Sequence, residues 1–354
     1  MLKLQYNIER NPIIEVVVDG KVIDKILFIG DPHLGRRFIT GVPSHRVGDR
    51  EAFVYAQFSR LLDNADPLIT KIIIVGDLFD KFVVSPTVTF EAFRLLSNVP
   101  EDVDVYLIPG NHDLSKDTTK ISSFQLLTSI LENLSNVHVI KKSESYPIYY
   151  NNHKDILNLY FDCYDPFSEC TPVEDLEELA KTGPIISTGH WDSLSILDHG
   201  YVPHKDILTH SSLVVSGHEH TYREYVYPFD KSKSKVLFTG SMQPYSHAED
   251  PDKNIYTTIS EKDLTKFDLS KDFKYKCIRI ECNPLFVLTE PVDCFALTFK
   301  VIAEEQKEIE VELENASVDS YNDTLKSWVI SNKDLTEEIQ KELVELLTSK
   351  GYLG

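Results

Sequence analysis

The sequence predicts an α/β protein built on largely parallel sheets, and two observations lead there. Short runs rich in β-branched residues recur along the chain, each closed by glycine, as expected of strands buried on both faces. Behind each glycine stands a cluster of metal-binding residue types: Asp31-Pro32-His33 after Gly30, Asp77 after Gly76, Asn111-His112-Asp113 after Gly110, His190 after Gly189, and His218-Glu219-His220 after Gly217. The strands would thus deliver these side chains to loops at one sheet edge, where open α/β sheets usually build their sites.

The elements follow in order. Residues 13–23, with Asp19-Gly20 in the middle, read as a β-hairpin, because Asp-Gly supplies the positive φ angles of a tight two-residue turn. This hairpin is expected to extend a sheet edge, a partner contact being the alternative. Strands follow over residues 25–30, 71–76 and 103–110, then two ending at Gly189 and Gly217, and one over 236–238. Glycine at a strand end lets the chain bend sharply and removes a side chain that would crowd an ion. A helix is predicted to start around Phe53. After about Lys271 the character changes: residues 295–301 and 308–314 read as strands, the second alternating glutamate with aliphatic residues, one face wet and the other on a small core. Two amphipathic helices close the chain. Leu325, Trp328 and Val329 mark the first; Leu335, Ile339, Leu343, Leu346 and Leu347 mark the second, with Asp334 and Glu337 as a capping box and Gly351 as the stop. The expected division is a catalytic domain over 1–270 with its N-terminal extension in 1–24, an abbreviated α+β cap over 271–315, and C-terminal helices over 316–354.

Asp31, His33, Asp77, Asn111, His190, His218 and His220 are too many ligands for a four-coordinate structural zinc. If Asp77 bridges two divalent ions, each ion has about four protein ligands and keeps room for water and substrate. Imidazole and hard oxygen without thiolate suit manganese first, with iron or magnesium as alternatives, ahead of a cysteine-held zinc. His138, His153, His199, His204, His210 and His247 are read as ordinary core or surface histidines.

In this order and behind successive strands, Gly-Asp, Gly-Asn-His-Asp, Gly-His and Gly-His-X-His resemble the calcineurin-like metallophosphoesterase superfamily. The resemblance implies a four-layer α/β/β/α sandwich with one metal on Asp31, His33 and His220, another on Asn111, His190 and His218, and Asp77 between them. Two cations about 3.5–4 Å apart would activate a water and neutralise the phosphate oxygens. His112 would face the departing oxygen as proton donor or positive stabiliser. Asp113 would hold the His112 imidazole, a loop cap being the alternative.

Finer features narrow the resemblance. Asp31-Pro32-His33-Leu34-Gly35, Gly76-Asp77-Leu78-Phe79-Asp80 without the arginine of Ser/Thr phosphatases, and Gly240-Ser241-Met242-Gln243-Pro244 are similar to the nuclease subunit of SbcCD-type double-strand-break repair complexes, the SbcD family, over residues 24–260 or so. This implies a metal-dependent DNA exonuclease and endonuclease, a homodimer within a heterotetramer, partnered by an SbcC-type ABC ATPase with a long coiled coil. In that family terminal helices grip the base of the coiled coil; docking back on the parent domain is the alternative here. Asp80 stands where some relatives carry histidine, so no phosphate-facing role is carried over to it.

Composition bounds the rest. With 354 residues, 42% of them hydrophobic, the chain can bury one large domain plus appendages. No run approaches the roughly 20 apolar residues of a membrane span, and the amino terminus lacks a signal pattern. A soluble, cytoplasmic protein of a prokaryotic cell or phage-infected host is expected, the short cap pointing to a compact genome. The five cysteines, Cys163, Cys170, Cys277, Cys282 and Cys294, lie outside zinc-like pairs and read as reduced thiols. A net charge of −20 is unusual for a DNA enzyme, because duplex binding normally uses Lys and Arg to displace counterions. Either the substrate is not a long nucleic acid or another subunit grips it, and the resemblance favours the second. Arg36, Arg37, Arg46 and Arg50 are the best local phosphate contacts, a solvated loop and helix face being the alternative. Two other functions stand beside the nuclease. A metallophosphatase or small-molecule phosphodiesterase suits the acidic balance but not Leu34-Gly35 or the tail. A metal-free interaction subunit is disfavoured by the complete ligand set.

Overall fold

A computed structural model describes residues 1–7, 10–63, 66–114, 117, 119–150, 154–165, 175–192, 201–226, 235–250, 255–302 and 337–349. Met1–Val301 form one compact unit and Ile302–Gly354 another.

Two six-stranded sheets form the body of the first unit. The first holds β1 (Leu2–Tyr6), β2 (Pro12–Val18), β3 (Lys21–Ile29), β4 (Ile69–Val75), β5 (Asp104–Ile108) and β6 (Val137–Val139) in sequence order. β1, β2 and β3 pair antiparallel, and β3 to β6 pair parallel. Asp19 (φ 49°) and Gly20 (φ 78°) make the turn between β2 and β3, both in the left-handed region. The second strand of this hairpin is therefore β3 itself, which runs straight on to the first ligand loop, while β1 and β2 lengthen the sheet edge. The second sheet holds β7 (Glu144–Tyr150), β8 (Asp155–Phe161), β9 (Ile185–Gly189), β10 (Leu213–Ser216), β11 (Arg223–Val226) and β12 (Lys235–Phe238) in the order β11-β12-β10-β9-β8-β7, parallel at its centre and antiparallel at both edges.

Because side chains alternate across a strand, each apolar run feeds two cores. Leu27, Ile29, Ile72, Ile74, Val105 and Leu107 pack under α1 (Asp49–Asp63), α2 (Pro86–Ser97) and α3 (Ser123–Leu131). Their neighbours Ile26, Phe28, Ile73, Val75, Tyr106 and Ile108 meet Leu157, Leu159, Phe161, Val215 and Leu237 of the second sheet. Tyr160, Ile185, Val214 and Val236 face the other way, where α4 (Leu176–Thr182) and α5 (Lys205–His210) cover them with Leu176, Leu179, Ile207 and Leu208. The result is the α/β/β/α sandwich in four layers. Helix entry is specified locally: Ser85 caps α2 with Pro86 at its first position, and Ser122 with Gln125 forms a capping box for α3.

A three-stranded parallel sheet follows, formed by β13 (Tyr256–Ser260), β14 (Cys277–Cys282) and β15 (Ala296–Val301). It takes its first strand from upstream of residue 271, and the first compact unit continues to Val301. The strand expected over 308–314, the helix marked by Leu325, Trp328 and Val329, and the residues Asp334, Leu335 and Gly351 lie outside the described residues. In the second unit α6 (Glu337–Ser349) is helical, with Ile339 and Leu346 about half exposed. Cys163, Cys277, Cys282 and Cys294 are free thiols, and Cys170 lies outside the described residues. Among the described residues no helix is long and apolar enough to cross a membrane.

Candidate metal centre

The loops leaving β3, β4, β5, β9 and β10 converge, and they do so in strained backbone. Asp31 (φ 39°), His33 (φ 45°), Asp77 (φ 46°) and His218 (φ 73°) all occupy the left-handed region; Arg10 and Asp19 are the other non-glycine residues there among those described. Such conformations cost on the order of 1–3 kcal/mol each and persist only where the surroundings over-determine them. Here the first two loops hold each other. The His33 amide donates to Asp77 O at 3.0 Å, Leu34 to Leu78 O at 2.8 Å, and Asp80 to Leu34 O at 3.1 Å. Two glycines are required by close approach: a Cβ on Gly76 (φ 88°) would overlap the His190 ring, and one on Gly110 would overlap Asp77. The room they create is filled by neighbouring candidate ligands rather than by space for an ion.

All seven expected ligands are brought together. His33 Nε2 lies 3.0 Å from His220 Nε2, and both rings sit with Asp31 so that donor atoms fall within 4.8 Å of one another. Asn111 Oδ1 lies 2.9 Å from His190 Nε2 and 3.0 Å from His218 Nδ1. Asp77 Oδ2 stands between the two groups, 3.8 Å from His33 Nε2 and 3.5 Å from His190 Nε2. Asp31, His33, Asp77 and His190 are buried, whereas Asn111, His218 and His220 are partly exposed, so the centre has a dry floor and one side open to water.

The electrostatics call for added positive charge. Burial pushes the Asp31 pKa up to about 7 against the pull of His190, with Asp77 adding repulsion. Asp77 is also buried, but His190, His33 and His112 outweigh that and hold it below the usual carboxylate range. Burial would lower His190, yet Asp77 and Asp31 raise it to about 10. Burial takes His33 down to about 3, and burial with the His190 charge lowers His218. Despite burial, Glu249 and Asp31 raise His220. His33 Nδ1 is buried with no hydrogen-bond partner, and its Nε2 confronts another imidazole nitrogen. Imidazole nitrogens, two buried carboxylates and one amide oxygen in this arrangement fit divalent cations.

His112 flanks the centre. Its amide donates to Asp77 Oδ1 at 2.8 Å and its Nδ1 donates to the Asp80 carbonyl at 2.6 Å, since a carbonyl only accepts. That leaves Nε2, 4.0 Å from Asp77 Oδ2 on a ring 41% exposed, as the atom able to meet a substrate. Asp113 corrects the expectation placed on it. Its carboxylate does not hold His112; it accepts from the amides of Leu78 (3.1 Å), Phe79 (3.1 Å) and Gly110 (3.0 Å), tying two ligand loops together. Burial, with Asp77 nearby, raises its pKa to about 7.

Arg46 and Arg50 are a second correction. Arg46 is buried and bound to Asp49 (2.7 Å), Asp293 (2.5 Å) and Lys274 O (2.6 Å); Arg50 is buried against Gln243 and Pro244 O and stacks on Phe38. Both join loops and helix rather than meet phosphate, while Arg36 and Arg37 keep exposed heads. Three residues near the centre stand outside the expected site set. Tyr245 donates to Asp31 O (3.1 Å) and Pro32 O (2.8 Å) and packs edge-on against His33 and His220. Glu249 reaches His220 Nδ1 at 3.3 Å, and Asp80 supplies the carbonyl that orients His112. Such partners fix tautomer and ring direction.

The DNA double-strand break repair protein Mre11 of Methanococcus maripaludis is 31% identical over 115 residues, which cover 31% of this chain and 28% of that protein. The matched stretch thus spans well under two thirds of the relative. Among solved structures, GAP50, the anchor in the inner membrane complex of Plasmodium, aligns at 14% identity over 61% of this chain and 71% of that one, with a TM-score of 0.37. A hypothetical protein and a 5'-nucleotidase precursor, both from Thermus thermophilus, align at 16% and 13% identity over 61% and 62% of this chain and 75% and 48% of theirs, with TM-scores of 0.34 and 0.33. The family description "Calcineurin-like phosphoesterase" matches residues 24–222, more than half of the sequence and every expected ligand, and the chain therefore belongs to this family of metal-dependent hydrolases.

Proposed function

We infer that the chain is a dinuclear-metal DNA nuclease, acting on phosphodiester bonds as the nuclease subunit of an ATPase-coupled repair or recombination complex. The observation that carries the reading is the convergence of Asp31, His33, Asp77, Asn111, His190, His218 and His220, together with the local likeness to an archaeal break-repair protein. Asp31, His33 and His220 would hold one ion, Asn111, His190 and His218 the other, and Asp77 both; the imidazole and oxygen donors suit manganese. When bound, such ions supply a nucleophilic water at neutral pH and neutralise phosphate oxygens. The protein groups do the rest. His112, with Nδ1 fixed by the Asp80 carbonyl, presents Nε2 to the departing oxygen and can hand it a proton. Asp113 keeps the loops carrying Asp77 and Asn111 in register through three amides.

The small sheet would serve as the abbreviated cap, and the unit from Ile302 would contain the docking helices for a coiled-coil ATPase that supplies most of the DNA affinity. A homodimer contact would lie on α2 and α3, where Phe90 (64%), Leu126 (53%) and Ile130 (48%) stand exposed. The net charge of −20 favours a second reading, a metallophosphatase or small-molecule phosphodiesterase. End-labelled DNA incubated with the protein and manganese, with and without the ATPase, separates them. Metal-dependent strand cutting is expected; hydrolysis of nucleotide monoesters with every DNA strand intact would overturn the nuclease.

A further inference from the structure

Beside the metal centre, residues 36–40, residues 245–247 and strands β14 and β15 enclose a cleft of about 290 Å³. Four arginines, Arg36, Arg37, Arg50 and Arg279, reach its walls and, among the described residues, no carboxylate does, in a chain whose acidic residues outnumber basic ones 56 to 36. Arg50 is committed to Gln243 and the Pro244 carbonyl. Arg36 lies over the Tyr245 ring at 4.4 Å and shares its charge with Asp80 at 3.3 Å. Arg37 is 73% exposed and, among the described residues, pairs only with Glu51, at 3.6 Å. Arg279, a partly buried residue on β14, has no ion pair among the described residues. Its field is felt locally: burial and the Arg279 charge hold His247 below the usual imidazole value.

Tyr245 is both a wall of this cleft and a wall of the centre, its ring 5.2 Å from His33 and 5.4 Å from His220. A substrate with a single phosphate has no use for a second cationic recess there. A chain of linked phosphates does, because when one linkage lies at the metals its neighbour must lie close by. The volume is at the lower end of ligand pockets, roughly 300 Å³, which suits one nucleotide-sized group. We propose that the cleft binds the phosphate and sugar adjacent to the scissile linkage of a single polynucleotide strand, with Arg279, Arg37 and Arg36 as its cationic contacts. This rests on the nuclease reading and deepens it, placing in the chain itself a local grip that its overall charge disguises.

The test uses the full chain with Arg279→Ala, Arg279→Lys and the surface change Arg37→Ala, the last chosen because an exposed side chain is not needed for folding. Binding of a short fluorescein-labelled oligothymidylate is followed by anisotropy without metal across a salt series. Hydrolysis of the same oligonucleotide and of bis(4-nitrophenyl) phosphate, a diester with one phosphate, is followed with manganese. Arg279→Ala and Arg37→Ala are expected to weaken oligonucleotide binding about tenfold and fivefold, as loss of a charge-assisted phosphate contact implies. The slope of log affinity against log salt should fall by about 0.7 per contact. The ratio of kcat/KM for oligonucleotide over the simple diester should drop about tenfold for Arg279→Ala, with Arg279→Lys recovering most of it. Unchanged affinity and salt slope in both alanine variants, or an equal fall on the two substrates, would overturn the cleft. Should the parent hydrolyse neither substrate, the nuclease reading fails, while the anisotropy comparison still decides the cleft.

Discussion

Asp113→Ala removes one carboxylate that three amides share, and its cost can be worked from their geometry. Leu78, Phe79 and Gly110 donate to it at 3.1, 3.1 and 3.0 Å, and the residue is 1% exposed. A buried donor left unpaired costs about 1–3 kcal/mol. If a water enters the vacated space and satisfies one or two of the three, one or two stay unpaired and the net loss is about 1–6 kcal/mol. Asp113→Asn keeps one acceptor oxygen but turns an amide N–H₂ toward a donor, for a loss of about 2 kcal/mol. Urea unfolding of the metal-free protein, followed through buried Trp191 in a Trp328→Phe background, measures both. Unchanged stability within about 0.5 kcal/mol, combined with a shifted pH profile of hydrolysis, would refute the loop-tying role and restore Asp113 as a partner of His112.

Four other outcomes follow from the centre and the surface. His112→Gln should lower kcat by about 10²–10⁴-fold with metal content unchanged, checked by single-turnover kinetics and metal analysis; a full rate would remove the proton-donating role. His190, raised to about 10, and Asp31, raised to about 7, must both lose protons to become ligands, so metal affinity should climb with pH across this interval. Calorimetry in buffers of different ionisation enthalpy reads the protons released, and their absence at pH 7 would contradict the ligand set. The metal-free chain should behave in the opposite sense. Asp31 and His190 hold protons more tightly folded than at their ordinary 3.8 and 6.5, so their contribution is complete below those values and is lost as pH rises through about 7 and about 10. Finally, Phe90→Glu with Ile130→Glu should convert a dimer to a monomer in sedimentation without loss of fold, since both side chains are exposed; an unchanged mass moves the interface elsewhere.

Much of the centre is legible in the sequence because its signal is local. A β-branched run, a glycine and a candidate ligand stand side by side in the chain, and parallel pairing of β3 to β5 and of β9 with β10 brings the run ends into line. What is not legible depends on apposition across long stretches. Tyr245, Glu249 and Asp80 act on residues far away in sequence, and although Asp80 ends one motif and Tyr245 follows another, neither motif says which side chain it will meet. Arg50 follows the first motif, which suggests phosphate, yet a contrary signal exists: with Val54, Phe58 and Leu61 it falls on the buried stripe of α1. Adjacency suggests that Asp113 pairs with His112, whereas its carboxylate is drawn to the free amides of the loops around it.

Anomalous diffraction at the manganese edge from crystals of the full chain soaked in that ion tests the central claim most directly. Two peaks about 3.5–4 Å apart are expected, one against Asp31, His33 and His220, the other against Asn111, His190 and His218, with Asp77 touching both. A single peak, or none with those side chains still drawn together, would contradict it.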